Sequence, residues 1–407
     1  MILSESSIFQ FTKNLFMKKM LFLALLMAGL VLFSCQKEEA PEMEELTSDV
    51  VKYSSQVIEG KFIVLFEDEG MLKSAAIGGK VDPEAVLQTT RNMFALLKMP
   101  MREPDFVYSS ALRGIAVAMT PNEAQKMAET PGVKGVYPDM WVTLDLPTAQ
   151  KKPTPQPPAA STPWGITRVK GVANYTGIAK AWIIDTGVDL DHPDLNVNQD
   201  LDYDFVNGDA IADDDNGHGT HCAGIVAALN NSVGVIGVAP GAQVVPVKVL
   251  NRKGSGTMSQ IIAGVNYVAS KKTAGDVANM SLGGSLYTPL NDAVNNMGIK
   301  VAVAAGNSAQ DATNFSPASA SGPNVYTISA MDSKDVWASF SNFGAPVDYC
   351  EPGVAIYSTY KGGGYATLSG TSMAAPHMCG LLLLGNIATD GTVINDPDGN
   401  PDPIGVH

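Results

Sequence analysis

A chain of 407 residues has room for two folded units plus linkers, and its formal net charge of −14 makes it a poor match for nucleic acid. Such binding rewards Lys and Arg that displace counterions, so no nucleic-acid partner is expected. With 45% hydrophobic and 17% charged residues, most of the chain can bury a core beneath a solvated acidic surface.

Lys18 and Lys19 stand ahead of fourteen apolar residues, Met20 to Phe33. That run is shorter than the roughly 20 residues of a transmembrane helix. A basic flank, a short apolar run and a small residue at the break make a secretory signal. The residues ahead of Met17 do not fit this pattern, which makes Met17 an alternative start. The end of the run, "LFSC", resembles a bacterial lipobox, which implies a lipid on Cys35 as the mature N-terminus. The alternative is an ordinary signal peptide that stops near a chance cysteine. Residues 1–34 are read as a leader and lipoprotein signal peptide, and 35–58 as an acidic tether at the outer membrane or cell surface. Three cysteines remain, Cys222, Cys350 and Cys379, so at least one thiol is unpaired or pairs between chains. One disulfide is allowed in an oxidising compartment, and its pairing stays open.

Residues 59–143 read as a small β-α-β-α-β unit. "KFIVLF" is a short strand, and "DPEAVLQTTRNMFALLKM" is an amphipathic helix opened by an acid and Pro83. "GIAVAMT" is a second strand, "TPNEAQKMAET" a capped helix with proline in its first turn, and "VKGVYPD" a final strand. Residues 144–163 hold "PTPQPPAASTP", whose proline density forbids regular structure and marks a wet, cleavable linker.

From residue 164 to 407 apolar strands alternate with helices. "KAWIIDTG", "QVVPVKVL", "DVANMSL", "KVAVAAG" and "VYTISA" are buried-strand runs. "GTHCAGIVAALN", "MSQIIAGVNYVASKK" and "SLYTPLNDAVNNMG" are helical. This alternation predicts an α/β, mainly parallel sheet covered on both faces in three layers, with ligands at the strands' carboxyl ends. The last segment, "NDPDGNPDPIGVH", reads as a loop or edge piece.

Three residues stand at strand ends or helix starts. Asp185 ends "AWIID", His218 opens a helix after "DDDNG", and Ser372 precedes a helix in "SGTSMAAPHMCGLLLL". A serine hydroxyl needs a base to become a nucleophile, an imidazole is that base near neutral pH, and a buried carboxylate fixes the imidazole tautomer. Asn307, just past the strand "VAVAAGN", can donate its amide to a developing oxyanion. The cluster "DDDNGHGTHCAG" also invites a zinc reading through His218, His221 and Cys222. Zinc wants three or four N or S ligands, and with His218 committed to a triad it would be an inhibitor. His221 is then expected to be structural, Cys222 to pack beneath His218, and Asp213 to Asp215 to form a solvated loop.

"IIDTGVDLDHPDL", "NGHGTHCAGI", "NMSLGG", "AAGNS" and "GTSMAAPH" resemble, in this order, the signature segments of subtilisin-like serine proteases. The thermitase and proteinase K branches look nearest, since they also carry Cys after "HGTH". The β-α-β-α-β unit, ending in "PGVKGVYPD", resembles the family's inhibitor-type propeptide; an unrelated ferredoxin-like α+β domain has the same order. The resemblance implies a secreted endopeptidase made as a zymogen, in which Asp185 orients, His218 is general base and acid, Ser372 is the nucleophile and Asn307 completes the oxyanion hole. It further implies peptide substrates bound as a strand between Gly254, Ser255 and Gly256 on one side and Ser281, Leu282 and Gly283 on the other. Phe315 would floor an apolar primary pocket, and the propeptide would act as an intramolecular inhibitor. Structural calcium is expected at Asp194, Leu229, Asn231, Val233 and Val235, and a second calcium at Asp204, Asn207 and Asp209; no organic cofactor is expected. The competing reading, a non-catalytic surface binding or adhesion protein on the same fold, would lack a triad member, and none is missing.

Overall fold

The computed structural model describes residues 52–67, 76–77, 80–145 and 159–407. The expected signal peptide, the expected lipidation at Cys35 and most of the expected tether and linker lie outside the described residues. Four antiparallel strands and two helices make the N-terminal domain. They are β1 (Lys52–Phe66), α1 (Pro83–Leu96), β4 (Phe106–Tyr108), β5 (Gly114–Ala118), α2 (Pro121–Ala128) and β6 (Val133–Asp145), with a small hairpin of β2 (Ala76–Ile77) and β3 (Lys80–Val81). Sheet order is β6-β1-β5-β4. The run "KFIVLF" is apolar throughout because both faces of β1 are covered. Val64 and Phe66 pack under the helices with Phe94 and Met127. Ile63 and Leu65 share a core with Met258 and Ile261 of the larger domain. Burying each such side chain is worth about 1.5–3 kcal/mol. Strand β4 and the first residues of β1 were not legible; β1 begins at Lys52, inside the expected tether, and β6 runs to Asp145.

The helices start where their caps dictate. Asp82 accepts the Glu84 N–H at 2.9 Å ahead of Pro83. Thr120 and Glu123 form a reciprocal capping box, and Arg102 forks onto Glu123 with two 3.0 Å hydrogen bonds.

The larger domain holds β7 (Ala181–Asp185), β8 (Tyr203–Asp204), β9 (Val244–Lys248), β11 (Val277–Met280), β13 (Lys300–Ala304), β15 (Val325–Met331) and β16 (Tyr349–Pro352). Beyond a short α3 (Trp164–Arg168), its helices are α4 (His218–Ala227), α5 (Met258–Lys271), α6 (Thr288–Asn295) and α7 (Thr371–Leu384). Ladders β10 (Ser255–Thr257), β12 (Gly284–Ser285) with β14 (Phe315–Ser316), and β17 (Ile356–Tyr360) with β18 (Gly364–Leu368) rim the sheet. The chain closes with β19 (Ala388–Thr392) and β20 (Pro403–Val406). The sheet order is β19-β20-β16-β15-β13-β11-β7-β9-β8, with every neighbouring pair parallel except β19 and β20. Ile183 and Ala181 face α4 and α7, while Trp182 and Ile184 face α5 and α6. This is the expected subtilisin-like three-layer arrangement behind a ferredoxin-like domain. Because β9 follows β7 on one side and β11 adds on the other, the order reverses at β7, which places Asp185 at the switch point.

The closing segment is a sheet edge, as its sequence suggested. Asp402, 6% exposed, accepts the Ser329 hydroxyl at 2.7 Å. Burial pushes its pKa up to about 7, with help from Asp396, Asp398 and Asp348. The folded state therefore binds the proton more tightly than the unfolded chain, whose carboxyls titrate near 3.9. The resulting stability is complete below about pH 4 and is lost as pH rises through about 7. A melt of the Ser372→Ala protein should be higher at pH 6 than at pH 8, and Asp402→Asn should shrink that difference. Equal pH dependence in both proteins would refute the assignment.

Candidate active site

Asp185 is placed by β7, whose five residues are all buried. His218 is the first residue of α4. The Gly217 before it sits at φ +116°, and a Cβ there would meet the Tyr360 ring at 2.3 Å. Ser372 is the second residue of α7, where unpaired amides and the helix dipole favour negative charge. Asp185, His218 and Ser372 are all at most 1% exposed. His218 Nδ1–H donates to Asp185 Oδ1 at 2.7 Å, which leaves Nε2 as the acceptor nitrogen. Nε2 is buried and has no hydrogen-bond partner among the described residues. Ser372 Oγ–H donates to the Ser281 carbonyl at 3.1 Å, and the Ser281 hydroxyl returns a 2.7 Å bond to the Ser372 carbonyl.

Asn307 is 2% exposed. Its Oδ1 accepts both the N–H and the hydroxyl of Thr371, at 2.8 and 2.9 Å. These two bonds assign the oxygen end of the amide, which leaves the NH2 group as its donor end. Thr371 went unread in the sequence, although its place beside Ser372 was a signal.

The histidine–cysteine cluster separates. His221 Nε2 sits 3.1 Å from the carbonyls of Ile356 and Ala366, and burial lowers its pKa to about 3, so it is neutral and structural. Cys222 is fully buried beneath the site, with Sγ 3.4 Å from the Ser372 carbonyl. One ligand atom each of Asp185, His218 and Cys222 lies within 4.8 Å of the others. Burial holds the Cys222 thiol well above its usual pKa, and a neutral thiol is a poor zinc ligand. Cys222, Cys350 and Cys379 are all buried free thiols. The solvated-loop expectation fails for one of the three acids. Asp213 and Asp215 are exposed, Asp215 pairing at 2.7 Å with the buried Lys248, but Asp214 is 5% exposed. Sequence pattern could not see the hydroxyls and amides that converge on Asp214.

Of the two segments expected to flank a substrate, the first is paired with the N-terminal domain. β10 pairs antiparallel with β6 of the N-terminal domain, Ser255 opposite Thr143 and Gly256 opposite Val142, and Leu144 N–H donates to the Gly254 carbonyl at 2.9 Å. Gly256 is required by its own chain, since a Cβ would meet the Val249 carbonyl at 2.1 Å. Leu282 is buried in the core, and a Cβ on Gly283 would approach the Ser316 carbonyl at 2.9 Å. Phe315, half-buried, pairs with Ser285, whose N–H donates to Ser55 of the N-terminal domain at 3.1 Å. Docking of that domain is polar as well as apolar. Asp139 takes the N–H and hydroxyl of Ser259 at 3.0 and 2.6 Å at the start of α5. Asn266 Oδ1 accepts three N–H groups, from Ser109, Ser110 and Ala111, at 2.8–3.1 Å.

The first expected calcium set comes together from two segments, Asp194 after β7 and residues 229–235 after α4. Asn231 Oδ1 accepts the Val233 N–H at 2.8 Å, so its NH2 faces Asp194 Oδ1, also at 2.8 Å. Asp194 Oδ2 takes the Val235 N–H at 3.0 Å, and the Leu229 carbonyl accepts the Asn231 N–H at 3.1 Å. One carboxylate, one amide and loop carbonyls suit a hard cation once the Asn231 amide turns over. The second set fits poorly. Asp204 spends both oxygens on its own turn, on Val206 N–H at 2.6 Å, Asn207 N–H at 3.0 Å and Asn207 Nδ2 at 2.8 Å. Asp209 is likewise held by Ile211 N–H at 3.0 Å.

A buried carboxylate–imidazole pair at a sheet's switch point, with a serine at the adjoining helix start, defines a serine-type endopeptidase, a hydrolase. The chain belongs to the subtilase family, whose profile matches residues 181–386. The peptidase inhibitor I9 profile matches residues 80–145, so the N-terminal domain is an inhibitor-type propeptide. The chain is 39% identical over 303 residues to the subtilisin-like serine protease AsES of Sarocladium strictum, covering 70% of this chain and 73% of that one. It is 33% identical over 365 residues to alkaline serine exoprotease A of Vibrio alginolyticus, covering 86% of this chain and 65% of that one. A solved cold-adapted subtilisin-like serine proteinase superposes with a TM-score of 0.53 at 37% identity, over 59% of this chain and 96% of that one.

Proposed function

We propose that this endopeptidase cleaves peptide bonds through Asp185, His218 and Ser372. The observation that carries the reading is the 2.7 Å bond from His218 Nδ1 to buried Asp185, with an acceptor Nε2 left over. Ser372 gives up its bond to the Ser281 carbonyl and hands its proton to Nε2 as Oγ attacks the substrate carbonyl carbon. The developing oxyanion takes hydrogen bonds from the Asn307 NH2 and the Ser372 amide. His218 then protonates the leaving amine, and water hydrolyses the acyl-enzyme by the same route in reverse roles. Asp185 stays ionised and stabilises the imidazolium. Substrate lies between residues 254–256 and 281–283, with an apolar or aromatic side chain toward Phe315. β6 occupies the first of these edges, which supports inhibition by the propeptide until the chain is cut between Asp145 and Ala159. In this reading the precursor is exported, lipid-anchored at Cys35 on the bacterial surface, and released or held non-covalently after the cut.

A fluorophosphonate should label wild-type enzyme on Ser372 alone, read by mass spectrometry of the modified peptide. Labelling elsewhere, or none on processed protein, would sink the assignment. Calcium belongs to the proposal at the first set, with Asn231 Oδ1, the Asp194 carboxylate and the carbonyls of Leu229, Val233 and Val235 as ligands. Chelation with EDTA should lower the melting temperature of the Ser372→Ala protein, and an unchanged melt would remove calcium from the reading.

A further inference from the structure

We propose that Asp214 is a positioning residue for the reaction, locking the entry of the His218 helix onto the residue that follows Asp185. The inference rests on the triad assigned above. Asp214 accepts five hydrogen bonds. Oδ1 takes the Thr186 hydroxyl at 2.9 Å and the N–H groups of Asn216 and Gly217 at 3.0 and 2.8 Å. Oδ2 takes the N–H and hydroxyl of Thr220 at 3.0 and 2.6 Å. Thr186 ties this cluster to the chemistry. Its N–H donates at 2.7 Å to Asp185 Oδ1, the same oxygen that holds His218 Nδ1. Its Oγ1 accepts the Gly219 N–H at 2.9 Å. His218 is thus bracketed: residues 216 and 217 before it and 220 after it bind Asp214 directly, and 219 binds through Thr186.

The chemistry of the pocket calls for a carboxylate. Five donors converge, and an amide would turn an NH2 group against N–H and O–H donors on one side or the other. Burial raises the Asp214 pKa above the usual carboxylate range, opposed by the hydrogen bonds from Thr220, Gly217 and Asn216. The titratable groups that sense its charge are Cys222 in α4 and Tyr360 in β17, and Asp213 and Asp215 flank it in the chain. Lys248 Nζ donates to the Thr186 carbonyl at 2.6 Å and to Asp215 at 2.7 Å, which holds Thr186 from its other side.

The test is Asp214→Asn, purified as processed enzyme with active sites titrated by a fluorophosphonate. We expect kcat per titrated site to fall ~10- to 100-fold, as small misplacements of catalytic groups do, with KM nearly unchanged. The acid limb of the pH–rate profile should move to lower pH, because a negative charge near His218 is lost. Thr220→Val should lower kcat less, and Thr220→Ser, which keeps the hydroxyl, should restore it; this pair carries the test if Asp214→Asn does not mature. Wild-type kcat and pH profile per titrated site, with only a lowered melting temperature, would overturn the proposal. A wild type that does not label on Ser372 would instead overturn the triad assignment beneath it.

Discussion

Ser372→Ala will leave the precursor as one uncut chain and lower kcat of any processed material by about 10⁶-fold, the loss measured on subtilisin itself, a member of this family. The expectation follows from what alanine removes. Oγ is the only atom deleted, and it donates to the Ser281 carbonyl at 3.1 Å. The site is fully buried at this position and loses one oxygen without gaining bulk. The fold, the Asn307–Thr371 bonds and the His218–Asp185 pair are untouched, so stability should change little. Intact-mass measurement of both proteins after identical expression is the check. A wild type cut between Asp145 and Ala159 beside an uncut variant supports self-processing. Identical cutting in both would assign the cleavage to another protease.

Each residue proposed for catalysis sits where regular structure changes to a turn. Asp185 ends an apolar run, His218 follows a glycine, and Ser372 follows "SGT", so periodicity and punctuation located them before any contact was known. The same logic found the parallel sheet, since residues such as Trp182 and Ile183 must both be apolar when opposite faces are covered. Strand β4, only three residues long, carries too little pattern to be seen. The roles of Asp214, Thr371 and Lys248 were hidden for a different reason. Thr371 and Lys248 act through partners far away in sequence, and a run such as "DDDNG" looks solvated until Thr186 and the start of α4 are folded against it. The boundary between tether and propeptide was also misplaced, because "KYSSQVIEG" lacks the apolar alternation of a strand and is ordered by pairing with β6.

Asn307→Leu is expected to lower kcat by about 10²- to 10³-fold, or 2.7–4 kcal/mol, a magnitude measured for the corresponding donor in subtilisin. Leucine nearly matches asparagine in shape but has no donor for the oxyanion. It also leaves the Thr371 N–H and hydroxyl without the acceptor they now share at 2.8 and 2.9 Å. Those two groups are buried, so a loss of stability should accompany the loss of rate. The two effects separate in the kinetics. Oxyanion stabilisation exists only in the transition state, so kcat and kcat/KM should fall together while KM holds. Asn307→Asp gives the sharper contrast, because its carboxylate still accepts from Thr371 yet turns a negative oxygen toward the oxyanion. It should therefore keep more stability than the leucine variant and less activity. Rates per titrated active site for the two variants, beside their melting temperatures, decide the matter. If Asn307→Asp were the more active of the two, the role of Asn307 would be to hold Thr371 and the start of α7, with the oxyanion bound by backbone amides alone.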